Sequence, residues 1–254
     1  MLLKPNSSQK LLLPRTKQVK NIERRFFMGR ALSFGALSML AGCNVADDSK
    51  AQSILDAMSR WNDGVQQAIF GATNQLATTY TEADIADPFP FNAYYSEDKA
   101  PDVKEEGYKL ELVGLIDKKD PWTLAALRAL PQQSQITRHI CVEGWSVIGK
   151  WGGVSFADFL HTVGADTKAK YVAFKCADDY YTTLDMASAL HPQTILALTF
   201  HDKVLPRKFG FPMKLRIPIK LGFKNPKHIM SIEVTNEDRG GYWEDQGYNW
   251  FSGA

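Results

Sequence analysis

Cysteine is scarce in this 254-residue chain: there are three, Cys43, Cys141 and Cys176. None of them share Cys-x-x-Cys spacing, and no two histidines stand in His-x-x-x-His spacing, which removes the usual sequence grounds for zinc or an iron–sulfur cluster. Cys-x-x-Cys-His is also absent, so no covalently attached haem is encoded. The chain lacks G-x-G-x-x-G, a phosphate-binding P-loop and G-x-S-x-G, the common nucleotide and acyl-hydrolase signatures. No apolar run approaches the ~20 residues that a membrane-spanning helix needs.

What remains is the composition of an ordinary globular protein, 44% hydrophobic and 23% charged, long enough to bury a large core without disulfide staples. The formal charge of +2 conceals an uneven distribution. Residues 1–42 hold eight of the 30 Lys/Arg and one of the 28 acids, leaving 22 bases against 27 acids in the rest. A remainder carrying −5 has no nucleic-acid footprint.

That basic first segment reads as an export signal rather than as part of the fold. "ERRFFMGR" pairs Arg24 with Arg25, and an uncharged stretch runs from Ala31 to Gly42, together resembling a twin-arginine leader. It ends in "LAGC", which resembles a lipoprotein box in which Cys43 is lipidated and becomes the mature N-terminus. Cleavage nearby with Cys43 incidental is the plainer alternative. The expected organisation is a leader over 1–42, a linker over 43–53 and one domain over 54–254, placed in the periplasm or cell envelope. The twin-arginine route is understood to carry folded proteins, often with a cofactor already inserted, so the leader itself points toward a redox cofactor.

Ile54, Met58, Trp61, Val65 and Ile69 recur at helical spacing and predict a packed helix. Residues 78–107 mix acids, prolines and aromatics without a period, as a long ordered loop that covers something does. Strands are expected in "YKLELVGLI", "QITRHICV", "KYVAFKC", "FPMKLRIPI" and "KHIMSIEV", with a hairpin in "TILALTFHDKVL" turning at "HDK". Helices are expected in "KDPWTLAALRAL" with Asp120 as N-cap, in "VSFADFLHTVG" between Ser155 and Gly164, and in "TTLDMASAL". The fold class is α+β, or mixed α/β, in a single domain.

The chemistry concentrates in "RHICVEGWSVIGKWGGVSF", residues 138–156, where a cysteine closes a strand and is followed by an acid, two tryptophans and four glycines. A disulfide between Cys141 and Cys176, or simple burial of each, are the plain readings. His139, two residues from Cys141, makes a thiol hydrolase conceivable, but no orienting carboxylate accompanies it. A thiolate presented to a soft redox metal is the stronger reading. Arg138 stands either as a cation guiding substrate or as a partner for Glu143.

"RHICVEGWSVIGKWGGVSFADFL" resembles the cysteine segment of the sulfite-oxidase-like molybdopterin-binding oxidoreductases. It is most similar to their small exported bacterial branch, which includes the catalytic subunit of the methionine-sulfoxide reductase system. The likeness extends over 54–254 through "SRWNDGVQ", "FPFNAYYSE", "DMASALHPQTILAL" and the terminal "GYWEDQGYNW". It implies a sulfite-oxidase-like molybdopterin-binding domain, with Cys141 as molybdenum ligand beside a molybdenum–molybdopterin cofactor. It further implies that Asn92, Tyr95 and Ser96 contact the pterin, that Cys176 lies near it, and that Lys214, Asn225 and Lys227 meet its phosphate. Phe209 stands where relatives carry Asn or His. Lys214, Lys220, Lys224 and Lys227 put four lysines into fourteen residues, which suits a phosphate; a solvated basic face is the alternative.

The function so implied is oxygen-atom transfer to or from a small molecule: reduction of a sulfoxide-like substrate or oxidation of a small anion. Electrons would be exchanged with a membrane haem protein or cytochrome, since the chain carries no haem motif of its own. A monomer is expected. The alternative is a metal-free, lipid-anchored binding or redox-accessory protein of the same fold.

Overall fold

The computed structural model describes residues 49–66 and 76–254. Cys43 and Ile69 lie outside these residues. The chain divides at Ala57, within helix α1 (Ser49–Gln66), into two units, and everything below α1 belongs to the unit Met58–Ala254. The helical spacing of 54–65 does form a helix, but its apolar side chains are not packed: Ile54, Met58 and Trp61 are exposed.

Period-two alternation sets up the first strand, whereas most of the later ones are buried on both faces and arise from apolar runs. Tyr108, Leu110 and Leu112 are buried alternately around β1 (Glu111–Gly114), which pairs in parallel with β9 (Ile229–Thr235). β4 (Tyr171–Cys176) lies antiparallel to β9, and β5 (Tyr181–Asp185) antiparallel to β4, giving one sheet in the order β1-β9-β4-β5. The second sheet is antiparallel, β2 (Gln132–Ile140), β3 (Ser146–Ser155), β6 (Ile195–Phe200) and β7 (Lys203–Val204), with β8 (Lys214–Arg216) also on β6. The β6–β7 turn falls on "HDK" as the sequence predicts, with His201 and Asp202 at φ 48° and 59°, the left-handed pair that a tight hairpin requires.

Helices α2 (Leu124–Ala129), α3 (Phe156–Thr162) and α4 (Met186–Ala189) are short and capped. Ser155 caps α3 as expected, accepting from the Asp158 N–H at 3.3 Å. The cap of α2 is Thr123, not Asp120, because Trp122 is held in a bridge with Leu110 and delays the helix by a turn. "TTLD" is the end of β5 rather than helix; Asp185 caps α4 by accepting from Ser188 N–H at 2.8 Å.

One large core joins both sheets and the helices through Leu127, Phe156, Phe159, Phe174, Leu196 and Ile232. A smaller aromatic core of Trp151, Phe200 and Phe209 is closed by Phe89 from the 78–107 loop, whose ring lies 5.2–5.6 Å from each of theirs. The glycines of β3 serve this packing rather than a cofactor. A Cβ on Gly153 would come within 1.9 Å of the Leu196 carbonyl oxygen, so only glycine lets β3 and β6 approach across the bulge there.

The terminal "GYWEDQGYNW" is pinned by a buried ion pair between Glu244 and Lys224, with Thr182 Oγ1 also donating to Glu244 at 2.7 Å and Lys224 Nζ to the Thr183 carbonyl at 2.9 Å. Both side chains are almost fully buried. Removing one partner strands the other charge in a dry site, so Glu244→Ala should cost about 3–5 kcal/mol in urea unfolding, most of it restored in Glu244→Ala/Lys224→Met.

Candidate active site

Cys141 sits just past the end of β2, in the turn to β3 rather than within the strand. Its N–H donates to the Trp145 carbonyl at 2.9 Å, and Gly144 takes φ 92° to close the turn. Cys141 is 5% exposed and forms part of the wall of an open cleft whose enclosed volume is about 110 Å³. Asn92, Tyr94, Glu143, Asp178, Lys227 and Trp243 line the same cleft. The aromatic loop of 78–107 therefore covers something: Asn92 Nδ2 donates to Cys141 Sγ at 3.5 Å.

Glu143 Oε2 lies 3.7 Å from Sγ and accepts from Trp145 Nε1 at 2.8 Å. Burial pushes the Cys141 thiol up from its ordinary value. His139 is buried two residues away, and burial together with Lys214 and Arg216 holds its imidazole well below the usual range. No hydrogen bond joins His139 to Cys141 among the described residues, so the pair does not form a nucleophile and its base.

Beside the cleft lies a group of three cations, two buried and one, Lys227, half-buried in the cleft wall. Lys214, at 3% exposure, sits over the Trp151 ring at 5.2 Å. Arg216 is fully buried and donates to Arg138 O at 2.6 Å, Thr137 Oγ1 at 3.1 Å and Asn225 Oδ1 at 3.1 Å. Lys227 donates to the Asn92 carbonyl and lies over Phe91. Among the described residues no ion pair reaches any of the three. Burial pulls Lys214 well down and Lys227 to about 8, and the nearby cations oppose Lys214 further. Gly210, at φ 121°, lets the two lysine-bearing segments close up, since a Cβ there would lie 3.0 Å from Lys227 Cβ and 3.1 Å from Lys214 Cβ.

Three buried polar atoms in this region have no partner: His139 Nδ1, Arg216 Nε and His228 Nε2. Uncompensated cations together with orphaned polar atoms match an anionic, multiply hydrogen-bonding ligand, which is the chemistry of a phosphate-bearing pterin.

The structure gathers only part of the residues singled out in sequence. Asn92, Cys141, Asn225 and Lys227 line one cleft, and Tyr95 reaches it through Asp178, to whose Oδ2 its hydroxyl donates at 2.8 Å. The Asn225 amide is spent on the protein: Oδ1 accepts from Ile217 N–H at 2.8 Å as well as from Arg216, and Nδ2 donates to Leu221 O at 3.0 Å. Ser96 is exposed and caps a short 3-10 turn (Glu97–Lys99) away from the cleft. Cys176 is buried in the large core, and both it and Cys141 are free thiols, so no disulfide joins them.

Strand alternation sends Arg138 to the opposite face from Thr137 and His139, into a separate cleft beside Tyr80, with its guanidinium 5.3 Å from that ring. It neither approaches the thiol nor pairs with Glu143. Lys220 and Lys224 leave the basic cluster, the first for Asp185 at 3.4 Å and the second for Glu244. Trp145 and Trp151 do not wall the cleft; Trp243 does. Phe209 is buried in the aromatic core. Arg216 is a site residue the sequence did not single out; its signal was a second cation two places from Lys214 in "MKLRIPI", and so on the same face of β8.

The sequence profile described as "Oxidoreductase molybdopterin binding domain" matches residues 97–243, more than half of the chain. A protein of Azospira oryzae named "Putative protein-methionine-sulfoxide reductase subunit YedZ1" is 57% identical over 238 residues, covering 94% of this chain and 90% of the relative. "Protein-methionine-sulfoxide reductase catalytic subunit MsrP" of Campylobacter jejuni is 28% identical, covering 82% of this chain and 74% of the relative. Among solved structures, the sulfane dehydrogenase SoxCD from Paracoccus pantotrophus is similar in fold, with a TM-score of 0.52 at 17% identity, over 55% of this chain and 41% of that one. With its sulfite-oxidase-like fold and a thiol-walled cleft beside buried cations, the chain belongs to the molybdopterin-binding oxidoreductase family and is an enzyme of that class.

Proposed function

We propose that this protein holds a molybdenum–molybdopterin group in the Cys141 cleft and reduces a sulfoxide, of the methionine-sulfoxide type that its relatives' names carry. The observation that carries the reading is a single buried thiol in the wall of a cleft that also presents Lys227, with the buried Lys214 and Arg216 adjoining it and no ion pair to any of the three among the described residues. Among the described residues no group of three or more His, Cys, Asp or Glu could hold a metal by itself, so the metal would bring ligands of its own and take one from the protein.

The bound group supplies two-electron oxygen-atom transfer: a sulfoxide, two electrons and two protons give a sulfide and water. The Cys141 side chain, a thiol while its burial keeps it protonated, gives up its proton to serve as ligand, and Glu143 Oε2 at 3.7 Å is placed to take it. Asn92 goes on donating to the sulfur and fixes its direction. Lys227 on the cleft wall, with Lys214 and Arg216 behind it, would offer positive charge to the phosphate, and the gain would be largest for Lys214 and Arg216, which are buried with no ion pair among the described residues. Tyr94, Tyr180 and Trp243 exclude water from the cleft.

Selectivity follows from charge. Glu143 and Asp178 in the cleft lining stand against one cation, Lys227, so the mouth offers no set of cations for a small dianion such as sulfite and admits a neutral, strongly dipolar S=O group. Electrons would come from a membrane haem protein or cytochrome. The leader and a lipid on Cys43 would place the enzyme in the periplasm or cell envelope as a monomer.

Protein matured in its own host should contain about one molybdenum per chain by elemental analysis, and well under half would overturn the reading. Cys141→Ser should abolish turnover and metal retention with circular dichroism unchanged. Cys43→Ala should move the protein from the membrane pellet to the soluble fraction; an unmoved protein would exclude the lipid anchor.

Lys214→Met tests the cradle by trading function for stability. Removing a buried, unpaired amine should stabilise the cofactor-free chain by about 1–4 kcal/mol while the loaded protein loses its pterin. Because Lys214 is held well below its ordinary 10.5 when folded, the unfolded chain binds a proton that the folded one does not. Wild-type stability therefore gains with rising pH, and the advantage of Lys214→Met should shrink toward zero as pH approaches 10.5.

A further inference from the structure

The loop that brings Asn92 to the thiol is anchored at both ends by burial, through Phe89 in the aromatic core and Ala100 at 1% exposure. Between those anchors its position over the cleft depends on polar ties. The β4–β5 turn, residues 177–180, supplies the most concentrated set. Tyr95 hydroxyl donates to Asp178 Oδ2 at 2.8 Å, Tyr94 hydroxyl donates to the Asp178 carbonyl, and Tyr180 N–H donates to Asp178 Oδ1 at 3.3 Å. Asp179 at φ 60° gives the turn its tight reversal.

We infer that Asp178 is a positioning residue: it clamps the Tyr94–Tyr95 pair so that the Asn92 amide stays on the Cys141 sulfur. Asp178 takes Tyr95 on its carboxylate and Tyr94 on its carbonyl, while its second carboxylate oxygen is fixed by Tyr180 N–H of its own turn, and the charged acceptor makes the Tyr95 bond the stronger of the two ties to the loop. Lys227 completes the arrangement from below by donating to the Asn92 carbonyl. Burial and the neighbouring Asp178 hold both tyrosine hydroxyls well above their ordinary value, so both remain donors across the working pH range. The clamp acts on the sulfur only through Asn92, because the Cys141 thiol has Asn92 and Glu143 as its side-chain partners.

This rests on Cys141 being the reactive thiol of the cleft, and its test is independent of molybdenum. In the full-length chain produced without cofactor, iodoacetamide labelling of Cys141 is followed by peptide mass spectrometry, which separates it from Cys176. Asp178→Ala should speed labelling by about threefold or more, the size of effect expected for groups in one hydrogen-bonded network. Asn92→Ala alone should do the same, and Asp178→Ala added to it should change nothing further. Asp178→Asn, which keeps an acceptor for Tyr95, should label nearly as wild type. If Asp178→Ala does not fold, Tyr95→Phe removes the same bond from the other side. An unchanged rate in Asp178→Ala or Tyr95→Phe, or an equal acceleration in the Asn92→Ala background, would overturn the clamp. Coupled labelling in a chain that never takes up molybdenum would support the clamp and sink only the enzyme reading.

Discussion

Two cations buried with no ion pair among the described residues, and a third half-buried beside them, set the terms for the rest of this molecule. Lys214 and Arg216 are desolvated outright and Lys227 in part, and in a domain whose net stability is only a small remainder of large opposing terms such a burden has to be carried elsewhere. The fold carries it with two sheets sharing one large core and a second, aromatic core directly beside Lys214. Arg216 is made tolerable by acceptors from Thr137, Arg138, Ile217 and Asn225 around its two terminal nitrogens, with only Nε left over. The lysines have little beyond a ring face each and one carbonyl. Lysine is the residue whose charge yields most readily to burial, while arginine keeps its charge and demands acceptors, and the two types are used here accordingly.

The same distinction explains which parts of the site were legible in sequence. A strand with one buried face announces itself by alternation, as β1 does, and β4 and β9 by short apolar runs buried on both faces, so these and the hairpin at "HDK" could be read directly. The thiol and the aromatic loop were marked by unusual composition. The lysine run could be read as a basic cluster, but sequence spacing does not tell whether a lysine meets a carboxylate from elsewhere in the fold. Asp185 and Glu244, far off in sequence, claimed Lys220 and Lys224 and left Lys214 and Lys227 for the cleft. Arg138 failed for a simpler reason: strand parity turns it away from the residues on either side.

The short helices illustrate the limit from the other direction. Asp120 and Thr123 are both good caps, and propensity alone does not choose between them; the bridge between Leu110 and Trp122 does. Likewise α1 shows the spacing of a packed helix while presenting Ile54, Met58 and Trp61 exposed, because period reports which residues share a face and not what that face meets.

The elements that meet at the thiol come from distant parts of the chain: Asn92 from the loop, Cys141 from the β2–β3 turn, Asp178 from the β4–β5 turn and Lys227 from the approach to β9. The bond between Lys227 and Asn92 alone spans 135 residues. The pairing of β1 with β9, Glu111 with Ser231, closes a separation of the same order, so the loop entropy is met jointly by the sheet and the site. No one segment of the chain contains the cleft, and it exists only when the whole domain is folded. A ligand seated there is therefore linked to the stability of the entire domain rather than to that of a single loop.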